Sequence, residues 1–385
     1  MVTIAAPPAG AAQRFDVLDA LRGVCAVLVV LYHFNSNGYI ARLPVVQNGW
    51  LFVDYFFVLS GFVITHSYAS RLSLGSVSIA RFMGLRMGRI YPLHLFVLLS
   101  FVALELLLVF GGDTIARYVS RDAFSGSRAF EPLIQSLFLF QTFGIGGGEG
   151  WNVPAWSIAA EMWTYLLFAL VFVFAKHRSL LVSLTLSFGA AIALISYAPD
   201  LHVTFNGGIL RCIFGFGLGV ATYHAFRRFG SAGGNLHEFA ALTITIAFVS
   251  MASGLLTFFA PIVFSGTIFV LAGQSGAVSR MLRAPVFQFL GMASYSIYMI
   301  HMFVQGRFGE VLQITKVIAV QVDPQGRTLL EAAPLVSDAI TLVMLAVVVG
   351  GSYITYRLVE KPGQALSRRL LATARVTSPA TVGQP

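Results

Sequence analysis

Long apolar runs recur along this chain, with few charges between them. Ten runs stand out: residues 17–34, 50–68, 90–110, 156–175, 179–197, 206–226, 239–256, 257–273, 286–305 and 334–356. Each approaches the roughly 20 apolar residues that a helix needs to cross a bilayer. Hydrophobic residues make up 57% of the 385 and charged residues 11%, where soluble domains carry about 25% charged. In water such a chain would expose large apolar patches. In lipid it must satisfy its backbone hydrogen bonds internally, which selects helix. The expected fold is all-α: a polytopic transmembrane helix bundle of about ten spans.

An eleventh run, 132–143, is short and leads into glycine-rich 144–150. Charge placement favours a topology in which it is not a span. With a cytoplasmic N-terminus and ten crossings, Arg71, Arg81, Arg86, Arg89, Lys176, Arg178, Arg227, Arg228, Arg280, Arg283 and the basic tail all fall inside. An eleventh crossing would send several of these groups outside, against the positive-inside rule. The run is therefore expected to be re-entrant or interfacial. Residues 1–16 read as a cytoplasmic tail, 17–358 as the membrane domain and 359–385 as a basic cytoplasmic tail. The first run follows no basic-then-apolar order and reads as a retained helix. The net charge of +9 serves topology and membrane-lipid contact, so no nucleic-acid partner is expected. Cys25 and Cys212 both lie in apolar runs, and no metal-ligand spacing is present.

Ionisable groups inside spans are costly and mark function. The first run carries Asp19 and Arg22 near one end and His33 near the other. Arg22 and His33 lie about three helical turns apart, on one face, separated by roughly 16 Å. Their plain alternative is snorkelling at one end and capping at the other. Ser60-Gly61 lets a neighbouring helix approach closely. Arg81, Arg86 and Arg89 gather at one helix entrance, where guanidinium forks suit phosphate; ordinary topological anchoring explains the same cluster. Trp156, Ser157 and Glu161 follow, the last two four apart on one face. Arg211 is a further buried cation. Ser294, Tyr298 and His301 form one stripe toward an outer end. His66, His177, His202, His224 and His237 fall near predicted ends or turns and take no role.

Taken in order, these motifs resemble the acyltransferase-3 family of membrane acyltransferases. The resemblance rests on Leu18-Asp19-Ala20-Leu21-Arg22-Gly23 with His33, and on Phe56-Phe57-Val58-Leu59-Ser60-Gly61-Phe62. It continues through Arg86-Met87-Gly88-Arg89-Ile90-Tyr91-Pro92, Trp156-Ser157-Ile158 with Glu161, Ser294-Tyr295-Ser296-Ile297-Tyr298-Met299-Ile300-His301 and Glu360-Lys361-Pro362. It spans about residues 15–365. Ile158 and the Ala159-Ala160 pair depart mildly from the family pattern and leave the polar positions intact.

The resemblance implies transfer of an acyl group, usually acetyl, from cytoplasmic acyl-CoA to a hydroxyl of a carbohydrate or glycolipid. It implies no permanently bound cofactor and a bacterial inner-membrane location with both termini cytoplasmic. Within it, Arg22, His33, Arg86 and Arg89 match the family's own polar positions. The expected catalytic set is His33, as general base or transient acyl carrier, with Glu161, Tyr298 and His301. The expected substrate-binding set is Asp19, Arg22, Ser60, Arg81, Arg86, Arg89, Trp156, Ser157 and Arg211. A transporter or flippase using the same buried polar residues is the rival class; it predicts flux without acyl-CoA consumption. A non-catalytic scaffold leaves the buried charges without a purpose.

Overall fold

A computed structural model describes residues 14–111, 122–144, 150–231, 233–316, 319–322 and 328–373. Most of the expected N-terminal tail and the end of the C-terminal tail lie outside these residues. The principal helices are α1 (Asp16–Tyr32), α2 (Phe52–Ile64), α3 (Ile79–Phe110), α4 (Phe130–Phe138), α5 (Ala155–Ala175) and α6 (Ser179–Ile195). They continue as α7 (Gly208–Phe229), α8 (Asn235–Met251), α9 (Ala260–Leu271), α10 (Pro285–Thr315), α11 (Pro334–Thr355) and α12 (Lys361–Thr373). Each of the ten apolar runs falls on one of these helices. Among the described residues, seven helical stretches are long and apolar enough to cross a membrane by length and composition. One of them, Ala155–Ile195, holds both α5 and α6, joined at Lys176, whose φ is 45°. The 17-residue α1 and α8 are shorter.

One feature is not helical. Strands β1 (Ala319–Val322) and β2 (Thr328–Glu331) pair antiparallel between α10 and α11. Leu330 is buried, and its N–H donates to Asn35 O at 3.5 Å.

The helices pack in matched directions. Along α1 and α10, Asp19 meets Gly291, Arg22 meets Ser294, Gln305 Nε2 donates to Val30 O at 2.8 Å and His33 meets His301. These two helices are therefore parallel. So are α2 and α7, joined by Asp54 with Arg211 and by Gly61 with Phe216. Helices α5 and α7 follow the same pattern, through Trp156 with Gly208 and Phe168 with Phe216. Antiparallel α6 and α7 meet at Ser187 Oγ, which donates to Phe214 O at 2.7 Å. The α1–α10 crossing is backbone on backbone: a Cβ on Gly291 would sit 2.5 Å from Asp19 O, and one on Gly23 would collide with the Leu290 carbonyl.

The short eleventh run forms α4. Its nine residues extend about 14 Å, half of a hydrocarbon core. Leu139 ends it in the left-handed region at φ 59°. Three side chains from long helices satisfy its last carbonyls. His94 pairs with Ser136 O at 2.8 Å, Tyr91 Oη donates to Leu137 O at 2.9 Å and Trp163 Nε1 donates to Leu139 O at 2.9 Å. Thus the end of α4 rests against α3 and α5.

Two π-helical turns, Thr65–Ala69 and Tyr356–Glu360, follow α2 and α11. Such turns often mark functional positions, and the second leads into α12. That helix lies along the start of α3: Ser367 Oγ donates to Gly84 O at 3.1 Å and Gly363 packs on Pro92.

Gly23→Leu is expected to destabilise the bundle by at least about 1–3 kcal/mol, the usual cost of overpacking. Gly189→Ala, where an added Cβ meets nothing within 4 Å, is expected to be neutral or stabilising by up to about 1 kcal/mol. Thermal unfolding in detergent checks both; a Gly23→Leu protein as stable as the parent would refute the close crossing.

Candidate active site

A cavity of about 350 Å³ opens among α1, α2, α3, α5 and α10. It gathers eight of the expected site residues: Asp19, Arg22, Ser60, Arg86, Arg89, Ser157, Glu161 and Tyr298. Arg14, Tyr165, Tyr295 and Glu360 also line it. Four guanidinium groups thus face three carboxylates across one space.

The cations differ in how fully they are occupied. Arg22 NH1 lies 3.1 Å from Asp19 Oδ1, Nε donates to Ser294 Oγ at 2.8 Å and NH2 to Gly291 O at 3.2 Å. Arg22 is therefore held in place. Arg86 NH2 donates to Tyr68 Oη at 3.2 Å, its guanidinium carbon lies 5.1 Å from the Tyr68 ring centre, and its buried Nε has no partner. Among the described residues, the Arg89 side chain makes no hydrogen bond. Donors left open on a cavity wall suit an anion. Arg81, expected beside them, lies outside the cavity; its backbone N–H donates to the helix-capping Ser78 Oγ at 3.2 Å.

The carboxylates are held by hydroxyls and an amide. Glu161 Oε1 accepts from Ser60 Oγ and, at 2.6 Å, from Tyr165 Oη. Glu360, on the π-helical turn, accepts from Ser296 Oγ at 2.7 Å and Gln364 Nε2 at 3.1 Å.

Ser157 and Tyr298 also line the cavity, whereas His33 and His301 do not. Ser157 Oγ lies 2.8 Å from Tyr298 Oη, and the two hydroxyls lie 3.0 and 3.2 Å from Pro154 O, so two protons are shared among three contacts. Behind Tyr298 stands a histidine pair. The His33 and His301 rings are 5.0 Å apart, and the Tyr298 ring is 5.9 Å from that of His301. His33 Nδ1 donates to Val29 O at 2.9 Å and His301 Nδ1 to Tyr298 O at 2.6 Å. A carbonyl can only accept, so each neutral ring carries its proton on Nδ1 and presents Nε2 as a lone pair. His301 Nε2 is buried without a partner. The two histidines thus stand outside the cavity that holds Glu161, with Tyr298 between.

Arg211 is not on the cavity wall. It is fully buried and forms a two-point pair with buried Asp54, Nε to Oδ1 at 2.9 Å and NH2 to Oδ2 at 2.7 Å. Its guanidinium carbon lies 5.2 Å from the Trp50 ring centre and 5.4 Å from that of Trp156. Trp156 is likewise packed inside, against Phe57 and Gly208.

A family model described as an acyltransferase domain matches residues 15–357. The chain belongs to the acyltransferase-3 family. The enzyme class expected from the sequence, an O-acyltransferase, holds, and the apolar helices make this family member an integral membrane protein. Curated relatives cover part of it. "Protein 2 in picA locus" of Rhizobium radiobacter is 34% identical over 153 residues, 39% of this chain and 78% of that protein. The O-acetyltransferase OatA of Staphylococcus aureus is 30% identical over 165 residues, 42% of this chain and 25% of OatA. The peptidoglycan O-acetyltransferase OatA of Listeria monocytogenes is 28% identical over 199 residues, 47% of this chain and 29% of that protein. The aligned part thus spans about a quarter of the length of the OatA proteins. No solved structure matches.

Within this acyltransferase, sequence reasoning missed Asp54, Tyr165, Tyr295 and Glu360. Asp54 carried the signal of an acid in an apolar run. Glu360 carried a weaker one, lying just beyond the last run. Nothing in local spacing marks Tyr165 or Tyr295. Asp54→Ala is expected to destabilise the acyltransferase by about 3–5 kcal/mol, because it leaves Arg211 a buried, unpaired charge. The double variant Asp54→Leu with Arg211→Met should recover much of that loss. Thermal unfolding of the three proteins decides it; equal losses in single and double variants would contradict the pairing argument.

Proposed function

We propose that this enzyme transfers an acetyl group from cytoplasmic acyl-CoA to a carbohydrate hydroxyl at the outer side of a bacterial inner membrane. The observation that carries the reading is one continuous seam. Tyr298 lines the arginine-rich cavity, and its ring packs 5.9 Å from that of His301, which pairs in turn with His33. The names of the OatA relatives, O-acetyltransferases, support acetyl as the group and glycan as the acceptor.

The topology of this reading has ten crossings, both termini in the cytoplasm and α4 as a re-entrant piece. Parallel packing supports it. Two spans that pack in parallel must have an odd number of crossings between them. Ten crossings place seven between α1 and α10 and three between α2 and α7. Counting α4 as a crossing would make α2 and α7 antiparallel, against the contacts of Asp54 and Gly61.

The donor then lies with its phosphates on Arg86 and Arg89 at the cytoplasmic mouth and its thin pantetheine arm in the cavity. Glu161 lies deep on this wall, where it orients Ser60 and Tyr165. The acyl group reaches His33 once the Ser157–Tyr298 contact opens. His33 Nε2 takes the proton of the sugar hydroxyl, whose oxygen attacks the thioester carbonyl carbon. The carbon–sulfur bond breaks, and the CoA thiolate leaves to be protonated to the thiol. A neutral imidazole whose Nδ1 proton is held by Val29 O offers Nε2 as the lone pair such a base needs. In the covalent variant, Nε2 attacks the thioester first and the acyl group passes to the sugar afterwards.

His33→Ala is expected to lower kcat by about 10²–10⁴-fold, the usual range for a general base, with acetyl-CoA binding kept. Arg89→Ala is expected to raise the KM for acetyl-CoA about tenfold, the loss of one charge-assisted contact. Acetyl transfer by the purified proteins measures both. Near-parental turnover in a folded, CoA-binding His33→Ala protein removes the base assignment, and radiolabelled acyl-protein that vanishes with His33 selects the covalent variant.

A further inference from the structure

In the reading above the cavity takes the donor, and His33 is not among its lining residues, so the acceptor needs a place of its own beside His33. On the far side of His33 the structure gathers three aromatic side chains from separate segments. Tyr32, at the end of α1, packs against His33 with ring centres 4.8 Å apart. His202, in the loop between α6 and α7, brings Nε2 to 3.5 Å from Tyr32 Oη. Trp50, in the turn before α2, lies under His202 with ring centres 4.6 Å apart at 40°. His202 is exposed and the other two are half-buried.

One buried group holds this arrangement. Arg211 NH2 donates to Trp50 O and NH1 to Val203 O, the residue after His202, each at 3.2 Å. Asp54 neutralises the same guanidinium at the positions given above. The loop is tied on its other side as well: His202 N–H donates to Asp200 Oδ1 at 2.9 Å and Leu201 N–H to Thr257 Oγ1 at 2.8 Å. A fully buried ion pair adds little net stability. Here its effect is positional, since it fixes Trp50 and the His202 loop relative to each other.

We propose that Tyr32, Trp50 and His202 form the acceptor subsite, a ledge that binds an uncharged sugar ring beside His33, with Arg211 and Asp54 as its positioning residues. The proposal rests on the acyl-transfer reading above and adds where the acceptor sits. A sugar offers apolar C–H faces and hydroxyl edges. Tyrosine and tryptophan match the first with ring surface and the second with a polar tip. Desolvation among these rings, and then the Arg211 charge, lower the His202 pKa from the ordinary imidazole value, with Asp200 opposing. A neutral imidazole both donates and accepts, which matches a hydroxyl. The Arg211 charge is spent on Asp54, so the ledge holds no open cation for an anionic ligand.

The test uses the full chain in nanodiscs without acyl-CoA. Binding of soluble peptidoglycan glycan fragments and of a neutral exopolysaccharide oligomer is followed by saturation-transfer NMR for the parent, Trp50→Ala, Trp50→Phe and His202→Ala. Parent binding that weakens about tenfold or more, at least 1.4 kcal/mol, in Trp50→Ala and His202→Ala and survives in Trp50→Phe is expected, with acetyl-CoA affinity by calorimetry equal in all four. His202 is exposed, so its variant tests the ledge even where Trp50→Ala does not fold. The ledge is overturned if the parent binds neither glycan, if His202→Ala binds as the parent does, or if acetyl-CoA affinity falls in step. Acetylation of the bound glycan is measured separately. Trp50-dependent binding without any acetyl transfer would sink the catalytic reading and leave the ledge as a glycan site. Transfer with an unchanged acceptor KM in His202→Ala would do the reverse.

Discussion

The close, parallel contact of α1 and α10 is what the other features depend on. Lipid gives apolar helices no hydrophobic reason to associate, so small residues and short interhelical distances must supply the attraction. Gly23 and Gly291 meet this requirement at the crossing. Because the helices run in one direction, positions that recur on α1 find partners at matching levels on α10. Arg22 is set on Ser294 at one level, and His33 on His301 further along, roughly 16 Å on along α1 and roughly 10 Å on along α10. The seam is thus a wall of the cavity at one end and the seat of the histidine pair at the other. Bulk at the crossing would separate the two helices and pull both levels apart together.

The cost of charge in an apolar bundle explains how the remaining polar residues divide. An ionisable group at a helix centre costs at least about 2.5–3.5 kcal/mol, so each needs compensation. Arg211 obtains it completely from Asp54 and two backbone carbonyls. Arg22 obtains it from Asp19, Ser294 and Gly291. Arg86 retains a buried Nε without a partner, and Arg89 makes no hydrogen bond among the described residues. The first two guanidiniums are tied to partners within the bundle, and the other two keep donors open on the cavity wall. The residue type alone did not separate these roles; the partner list does.

The same distinction sets how far the sequence could be read. Helix class, the ten apolar runs as helices and the shortness of the eleventh were legible, because length and hydropathy act locally. Ser60, Ser157 and Glu161 were legible as polar breaks in those runs and Arg86 and Arg89 as a basic cluster at a helix entrance, and the structure brings all five to one cavity. Depth was not legible. Glu161 reads as near an outer surface from its place early in α5, yet its contacts are Ser60 and Tyr165, on the arginine side of Tyr298. Nor was partnership: Arg211 and Asp54 are separated by 157 residues, and no periodicity joins them. His202 sits in a loop with no pattern around it, and only the tertiary meeting with Trp50 and Tyr32 sets it apart from the other histidines near helix ends. The hairpin of β1 and β2 fell in a mixed loop where hydropathy is silent.

The short helix α4 shows why a run of apolar residues is insufficient to make a span. A helix end left inside a bundle exposes carbonyls that lipid cannot satisfy. A spanning helix avoids the problem by placing both ends at interfaces. Here the chain stops after nine residues, and α3 and α5 supply the missing donors. His94 has a buried ring, and its pairing to a carbonyl fixes Nε2 as the proton-bearing nitrogen. Tyr91 and Trp163 complete the cap. The arrangement needs a histidine, a tyrosine and a tryptophan at set levels on two helices, so it reads as a built terminus and not as a frayed span. Side chains from two long helices thus replace, for the end of α4, the partners that water gives a helix end at an interface.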